Sequence, residues 1–237
     1  MIILAIETSA VAASAAVMKD SKLLSESFVN IGLTHSQTLM TLIDTCLSNA
    51  GLGISDVDVF ACANGPGSFT GIRIGVSAVK GLAFAQDKPV YGISTLEAMA
   101  YSAAVEGYVI CPVMDARCRQ VYTAQFKAEN GELIRLSEDE PLKLDELEEK
   151  LRDLGKKVLF LGDGTDVAVN YFADKSIDFT VFPEIYKYQH ASAVAIAAFM
   201  RYNNGEAPLS GALLLPGYLR LSQAERERNN RTKESMI

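Results

Sequence analysis

Asn64-Gly-Pro-Gly-Ser-Phe-Thr-Gly-Ile-Arg-Ile-Gly75, running straight into Val76-Ser-Ala-Val-Lys-Gly-Leu-Ala83, is the stretch on which the fold turns. An apolar strand, Val57 to Ala63, enters it and an apolar helix leaves it, with Gly65, Pro66, Gly67 and Gly71 at the junction. Such a loop gathers bare backbone amides at a helix N-terminus, where an anion or another stretch of backbone can approach. The spacing fits neither standard phosphate pattern. No Gly-Lys-Ser/Thr ending follows, and Thr70 stands where a dinucleotide fingerprint has its third glycine. On pattern alone, a ligand loop and a tight turn that packs a helix onto a sheet both remain open.

Around this stretch lies a chain of 237 residues, 49% hydrophobic, with a formal net charge of -7. That length can bury one large core or two of modest size. The apolar runs stop well short of the roughly 18 residues of a membrane span, and Met1-Ile-Ile-Leu opens as a strand without a basic leader. A cytoplasmic protein with no membrane partner is therefore expected. Cys46, Cys62, Cys111 and Cys118 show no Cys-x-x-Cys spacing, which suits reduced core thiols rather than a disulfide frame or zinc site. Cys118, between Arg117 and Arg119, is assigned to a hairpin. The acidic balance argues against binding nucleic acid alone, though not against a complex in which another subunit holds RNA.

The chain carries an internal repeat. Ile2 to Glu26 goes strand, acidic turn (Glu7-Thr-Ser), strand, polar turn, strand; Val109 to Glu138 repeats the pattern with Asp115-Ala-Arg as its acidic turn and Gln120 to Lys127 as one middle strand. Each triple is followed by helix and strand patterns, so two α/β lobes of mixed β-sheet with flanking helices are expected, residues 1–104 and 105–237. The last helices are free to pack back on the first lobe. Ser222 to Lys233 is a charged run suited to a solvated helix or frayed tail.

Two helices in the first lobe stand out. Thr34-His-Ser-Gln37 has the form of a capping box and Gly51 of a stop; between them Leu39, Leu42, Ile43, Cys46, Leu47 and Ala50 make a stripe widened by Met40. On the next helix Ile72, Val76, Val79 and Ala83 line one side and Gly75, Ala78 and Leu82 an adjacent one, with Arg73, Ser77 and Lys80 as the polar edge. So wide an apolar surface predicts burial on two sides, against its own sheet and against either another part of the chain or a partner.

Catalytic groups are scarce. His35 and His190 are the two histidines, and neither belongs to a His-x-x-x-His pair. No serine lies in Gly-x-Ser-x-Gly. Glu7 and Asp115 end the first strands of the two lobes, where they could hold a hydrated magnesium ion or a water, or simply serve as acidic turn residues.

Ile2-Ile-Leu-Ala-Ile-Glu-Thr-Ser9, His35-Ser-Gln, the glycine loop, Ser94-Thr-Leu-Glu97, Asp115-Ala-Arg117 with Val121-Tyr122, and Pro216-Gly-Tyr-Leu-Arg220 together resemble the bacterial TsaB (YeaZ-type) proteins over nearly the whole chain. The resemblance implies the actin-like ATPase fold of the sugar-kinase type and a part in the threonylcarbamoyladenosine modification of tRNA next to the anticodon. It implies a non-catalytic subunit supporting a TsaD-like catalytic paralogue, with a TsaE-like ATPase as third member, a homodimer when alone, and tRNA reached only through the complex. TsaD has a His-x-x-x-His metal pair where this chain has Thr95 and Met99, so the resemblance implies no metal site here. Glu7, Thr8, Ser9, Gly65, Gly67 and Asp115 would form a vestigial nucleotide site with weak or no ATP binding, because Asp115-Ala-Arg replaces a glycine-containing phosphate turn. Docking is assigned to His35, Leu39, Met40, Ile43, Leu47, Ile72, Arg73, Val76, Val79 and Lys80, with Met40 and Leu47 facing outward. The competing classes are an autonomous ATP-dependent enzyme of the same fold and a glycoprotease-like peptidase.

Overall fold

A computed structural model of the protein describes residues 1–220; the charged run Ser222 to Lys233 lies outside the described residues. The first half runs β1 (Ile2–Glu7), β2 (Ala13–Lys19), β3 (Lys22–Val29), α1 (His35–Ala50), β4 (Val59–Gly65), α2 (Phe69–Gln86), β5 (Val90–Ser94) and α3 (Thr95–Ser102). The second runs β6 (Val109–Asp115), β7 (Gln120–Thr123), β8 (Phe126–Glu129), β9 (Glu132–Arg135), β10 (Glu140–Lys143), α4 (Leu144–Leu154), β11 (Val158–Leu161), α5 (Thr165–Phe172), β12 (Phe179–Val181) and α6 (Ala191–Asn203).

The main strand orders are β3-β2-β1-β4-β5 and β10-β7-β6-β11-β12. In both sheets the first strand pairs antiparallel with the second and parallel with the strand after the first helix. This is the two-lobed α/β fold of the actin-like ATPases. The middle strand expected at Gln120 to Lys127 is broken: β7 and β8 both pair with β6, and β8 turns back on β9 as a hairpin off the main path. The counterpart of β3 is therefore β10, not the strand that follows Glu129-Asn-Gly-Glu. Periodicity continues smoothly through Ala124-Gln125 and so hides the break.

Strands buried on both faces sort their side chains by parity. Leu4, Ile6, Phe60 and Cys62 face α1 and α2, while Ile3, Ala5, Val59, Ala61 and Ala63 face α6. Helix α6 presents Ala193, Ala197 and Ala198 to that alanine-rich face, so helix and sheet approach closely. In the second lobe, Leu144, Leu147 and Leu151 give α4 one apolar stripe, which covers Cys111 and Val113 together with α5. Helix α3 sends Leu96, Met99 and Ala100 against Ile110, Leu159 and Leu161 of the second sheet. Each half thus lends its last helix to the other's core; residues 104 and 105 separate the strands of the two sheets but not the helices that cover them.

Gly51 ends α1 in the left-handed conformation at φ 67°, its amide reaching the Leu47 and Ser48 carbonyls. The capping box is not made. Thr34 is the N-cap residue without a side-chain bond, and the Gln37 amide takes the Thr34 carbonyl at 2.9 Å.

Candidate functional site

The ends of β1, β6 and β11 meet the start of α2 around a cleft of about 480 Å³, lined by Ser9, Val11, Phe69, Asp115, Asp163 and Arg220 among others. Glu7 lies beneath it, 1% exposed. The Ser9 amide donates to Glu7 Oε1 at 2.5 Å. Burial pushes the Glu7 carboxyl up to about 7, the hydrogen bonds from Ser9 offsetting part of the rise and the neighbouring Asp163 adding to it. Asp163 is itself held above the ordinary carboxylate range by burial, against a 2.8 Å hydrogen bond from the Gln189 amide. Asp115 is occupied by its own turn: the Arg117 backbone amide donates at 2.8 Å and its guanidinium at 3.2 Å. Arg117, Cys118 and Arg119 are all left-handed, at φ 66°, 56° and 57°, a costly run for side-chain-bearing residues. Among the described residues no group of three or more His, Cys, Asp or Glu could hold a metal ion. Thr95 and Met99 are both buried, with the Met99 methyl against Gly162 of the β11–α5 loop.

The glycine loop is filled by the protein's own backbone. The Ser68 amide donates to the Ser9 carbonyl at 2.7 Å, and Thr8 Oγ1 donates to the Gly71 carbonyl at 2.8 Å. A Cβ at Gly67 would run into Ser9, at Gly71 into the Thr8 carbonyl, and at Gly65 into the Gly217 carbonyl. Gly65 and Gly67 also sit at φ 130° and 154°, which other residues rarely adopt. The geometry is that of a tight packing turn, which Thr8, Ser9, Gly65 and Gly67 serve, while Ser9 and Gly67 also line the cleft.

The helices expected to dock divide differently from expectation. Leu39, Ile43, Leu47, Ile72, Val76 and Val79 all lie in the core between the helices and the first sheet, Leu47 at 7% exposed. The sheet claims this stripe, so Leu47 does not face outward, and of these six only Leu39 also reaches the floor of a surface groove. Met40, at 54%, is outward. His35 is half-buried, its Nε2 at 2.8 Å from the Ala10 carbonyl, so it ties α1 to the β1–β2 turn. The second side of α2 is covered by the chain's own C-terminal strap, residues 209–220. Leu214 plugs the core, Lys80 Nζ donates to the Ala212 and Leu214 carbonyls at 3.0 Å each, and Asn64 Nδ2 donates to the Leu215 carbonyl at 3.1 Å. Tyr218 stacks on Phe69 at 4.5 Å and accepts from Arg73 Nε at 2.6 Å. Lys80 is thereby withdrawn from the proposed face. What stays open is a groove of about 490 Å³ between α1 and α2, lined by Leu39, Met40, Arg73, Ile74, Ser77 and Ala78.

Asp163, Gln189 and the strap contacts escaped the sequence reading. Gly162-Asp-Gly164 directly after the apolar β11 was the available signal for Asp163. Nothing local marks the partners of Lys80 and Asn64. His190 and Ser192 meet Glu26 at the start of α6, where the Ser192 hydroxyl donates to the Glu26 carboxylate at 3.0 Å and His190 Nδ1 stands 3.4 Å from the same oxygen. That serine is bound to an acid rather than to a histidine, so this group caps a helix and does not activate a nucleophile. Among the described residues no helix is long and apolar enough to cross a membrane.

The family model described as TsaD, tRNA N6-adenosine threonylcarbamoyltransferase, matches residues 31–228. The tRNA threonylcarbamoyladenosine biosynthesis protein TsaB of Bacillus subtilis (strain 168) is 32% identical over 229 residues, covering 95% of this chain and 96% of that protein. YeaZ from Pseudomonas aeruginosa superposes with a TM-score of 0.75 at 25% identity, covering 92% of this chain and 99% of that one. Component A of the Acidaminococcus fermentans (R)-2-hydroxyglutaryl-CoA dehydratase reaches a TM-score of 0.50 at 13% identity over 86% of this chain and 99% of that one, a likeness of fold.

Proposed function

The chain belongs to the TsaB family of tRNA threonylcarbamoyladenosine biosynthesis proteins, and from that premise we propose that it is the non-catalytic subunit that docks a TsaD-like transferase through α1 and α2. The observation that carries this is the open groove between those helices, flanked by the exposed Met40 and by small residues, Ser77 and Ala78, that let another helix approach. A paralogue of the same fold would present an equivalent helix pair, giving a four-helix contact; a second copy of this chain would occupy the same face when the transferase is absent. A TsaE-like ATPase joins the assembly, and tRNA is reached through it.

Met40→Glu tests the face. Its carboxylate would be buried without a partner on association, costing about 2 kcal/mol or more, so affinity for TsaD should fall at least about thirtyfold. The fold should persist because Met40 is exposed; Leu47→Glu would instead charge the core and is no test of docking. A folded Met40→Glu protein that binds TsaD with wild-type affinity in calorimetry would place the docking face elsewhere.

The autonomous ATP-dependent enzyme makes the opposite demand on the cleft. Phosphates there would need free amides from both lobes, but the Ser68 amide is bound to Ser9 and the second-lobe turn is closed over Asp115. Isolated protein is expected to bind ATP only weakly. A micromolar dissociation constant by calorimetry would restore the enzyme class.

A further inference from the structure

We propose that a latch behind the cleft locks the two lobes in one orientation, so that the cleft keeps a constant width. The latch is built on the β8–β9 hairpin, which among the described residues has no counterpart in the first sheet. The guanidinium of Arg135, at the end of β9, lies over the Phe126 ring at 4.6 Å. It donates to Asp139 at 2.7 Å and to the Ser137 carbonyl at 3.2 Å, and stands 3.6 Å from the Glu97 carboxylate on α3. The other Asp139 oxygen accepts from the Ser94 hydroxyl at 2.5 Å. Ser94 Oγ in turn caps α3 by accepting from the Glu97 amide at 3.2 Å. Arg201 of α6 closes the group, donating to Glu97 at 2.6 Å and to the Gly92 carbonyl at 3.3 Å. Gly92, Ser94 and Arg201 are fixed to the first sheet; Arg135 and Asp139 are fixed to the second.

An apolar pin lies beside these charges. Met99 of α3 enters the second-lobe core, its methyl filling the space left by Gly162. Across the cleft, Arg220 Nη1 at the end of the strap donates to the Ala116 carbonyl at 2.6 Å. Lobes joined by small polar contacts move by default, whereas apolar and satisfied interfaces hold. Rotation here would withdraw Met99 and strand Glu97, Arg135 and Asp139, whose side chains are 14%, 29% and 18% exposed. Half-buried charges without partners oppose that motion. The inference is independent of the docking proposal, since a docking subunit can have either a mobile or a fixed cleft.

Pulsed electron–electron distance measurement tests it, with spin labels on Ser48→Cys in α1 and Asp153→Cys in α4 and the labelled protein diluted into excess unlabelled protein, so that only distances within one chain are read. Cys118→Ser removes the exposed native thiol, Cys46, Cys62 and Cys111 being buried. The expected result is one narrow distance distribution, unmoved by excess magnesium-ATP and broadened about twofold by Arg135→Ala. Two distances in the parent protein, a shift on adding magnesium-ATP, or an Arg135→Ala distribution as narrow as the parent's would each overturn the latch. Should Arg135→Ala fail to fold, Asp139→Asn weakens the same junction more gently and is held to the same outcomes.

Discussion

Gly71→Ala is expected to destabilise the protein by about 3 kcal/mol, roughly 10 °C in melting temperature, while Gly81→Ala in the same helix should stabilise it by up to about 1 kcal/mol. Both substitutions replace a helical glycine with the best helix former, so propensity favours each. The surroundings decide the sign. At Gly81 nothing among the described residues lies within 4 Å of an added Cβ. At Gly71 the new carbon would run into the Thr8 carbonyl oxygen, with the His35 ring at 3.2 Å on the other side. A carbonyl in the backbone of the β1–β2 turn cannot swing away as a side chain can, so α2 must lift from the sheet. Lifting breaks the Thr8–Gly71 hydrogen bond and opens the core around Ile72. Thermal unfolding followed by circular dichroism compares the pair directly. Equal melting temperatures for the two variants would mean that the loop glycines are not there for close packing.

The second large effect depends on pH. Glu7 in the folded protein holds its proton up to about 7, against 4.5 as its ordinary value. Because the folded-state pKa is raised, the folded protein binds more protons than the unfolded chain between those values, and stability falls as pH rises through that window. It is fully present below about 4.5 and lost by the time pH passes about 7; the interval corresponds to about 3 kcal/mol. Glu7→Gln keeps a carbonyl oxygen for the Ser9 amide and cannot ionise. The variant should match the parent near pH 4.5 and exceed it by about 3 kcal/mol at pH 8. Urea unfolding at the two pH values measures this, and a stability difference that does not change with pH would show that Glu7 is not the buried acid described above.

Local chemistry made much of the fold readable. Alternating residues placed β1 and β6, Gly51 stopped α1, and the strand, glycine loop and helix at Asn64 to Ala83 formed as a unit. The misses share a cause. A helical stripe says that Leu39, Ile43 and Leu47 are covered, not by what; the cover proved to be the first sheet. The wide apolar surface of α2 was real, but its second cover came from Leu214, far along the chain, through bonds such as that between Lys80 and the Leu214 carbonyl. Pairing of β10 with β7 is equally non-local, so nothing around Gln125 announces the inserted hairpin. Of the site, Glu7 and Asp115 were found because acidic turns after apolar strands are visible in one dimension. Asp163 and Gln189 join them only through the topology of the second sheet.

The loan of α6 to the first sheet has a consequence during synthesis. Ribosomes deliver the chain from its N-terminus, and one face of β1 and β4, with Ile3, Ala5, Val59 and Ala61, waits for Ala193, Ala197 and Ala198. The first half of the protein therefore emerges with an alanine-rich sheet face bare to solvent and to other nascent chains. It closes only once α6, Ala191–Asn203, has emerged.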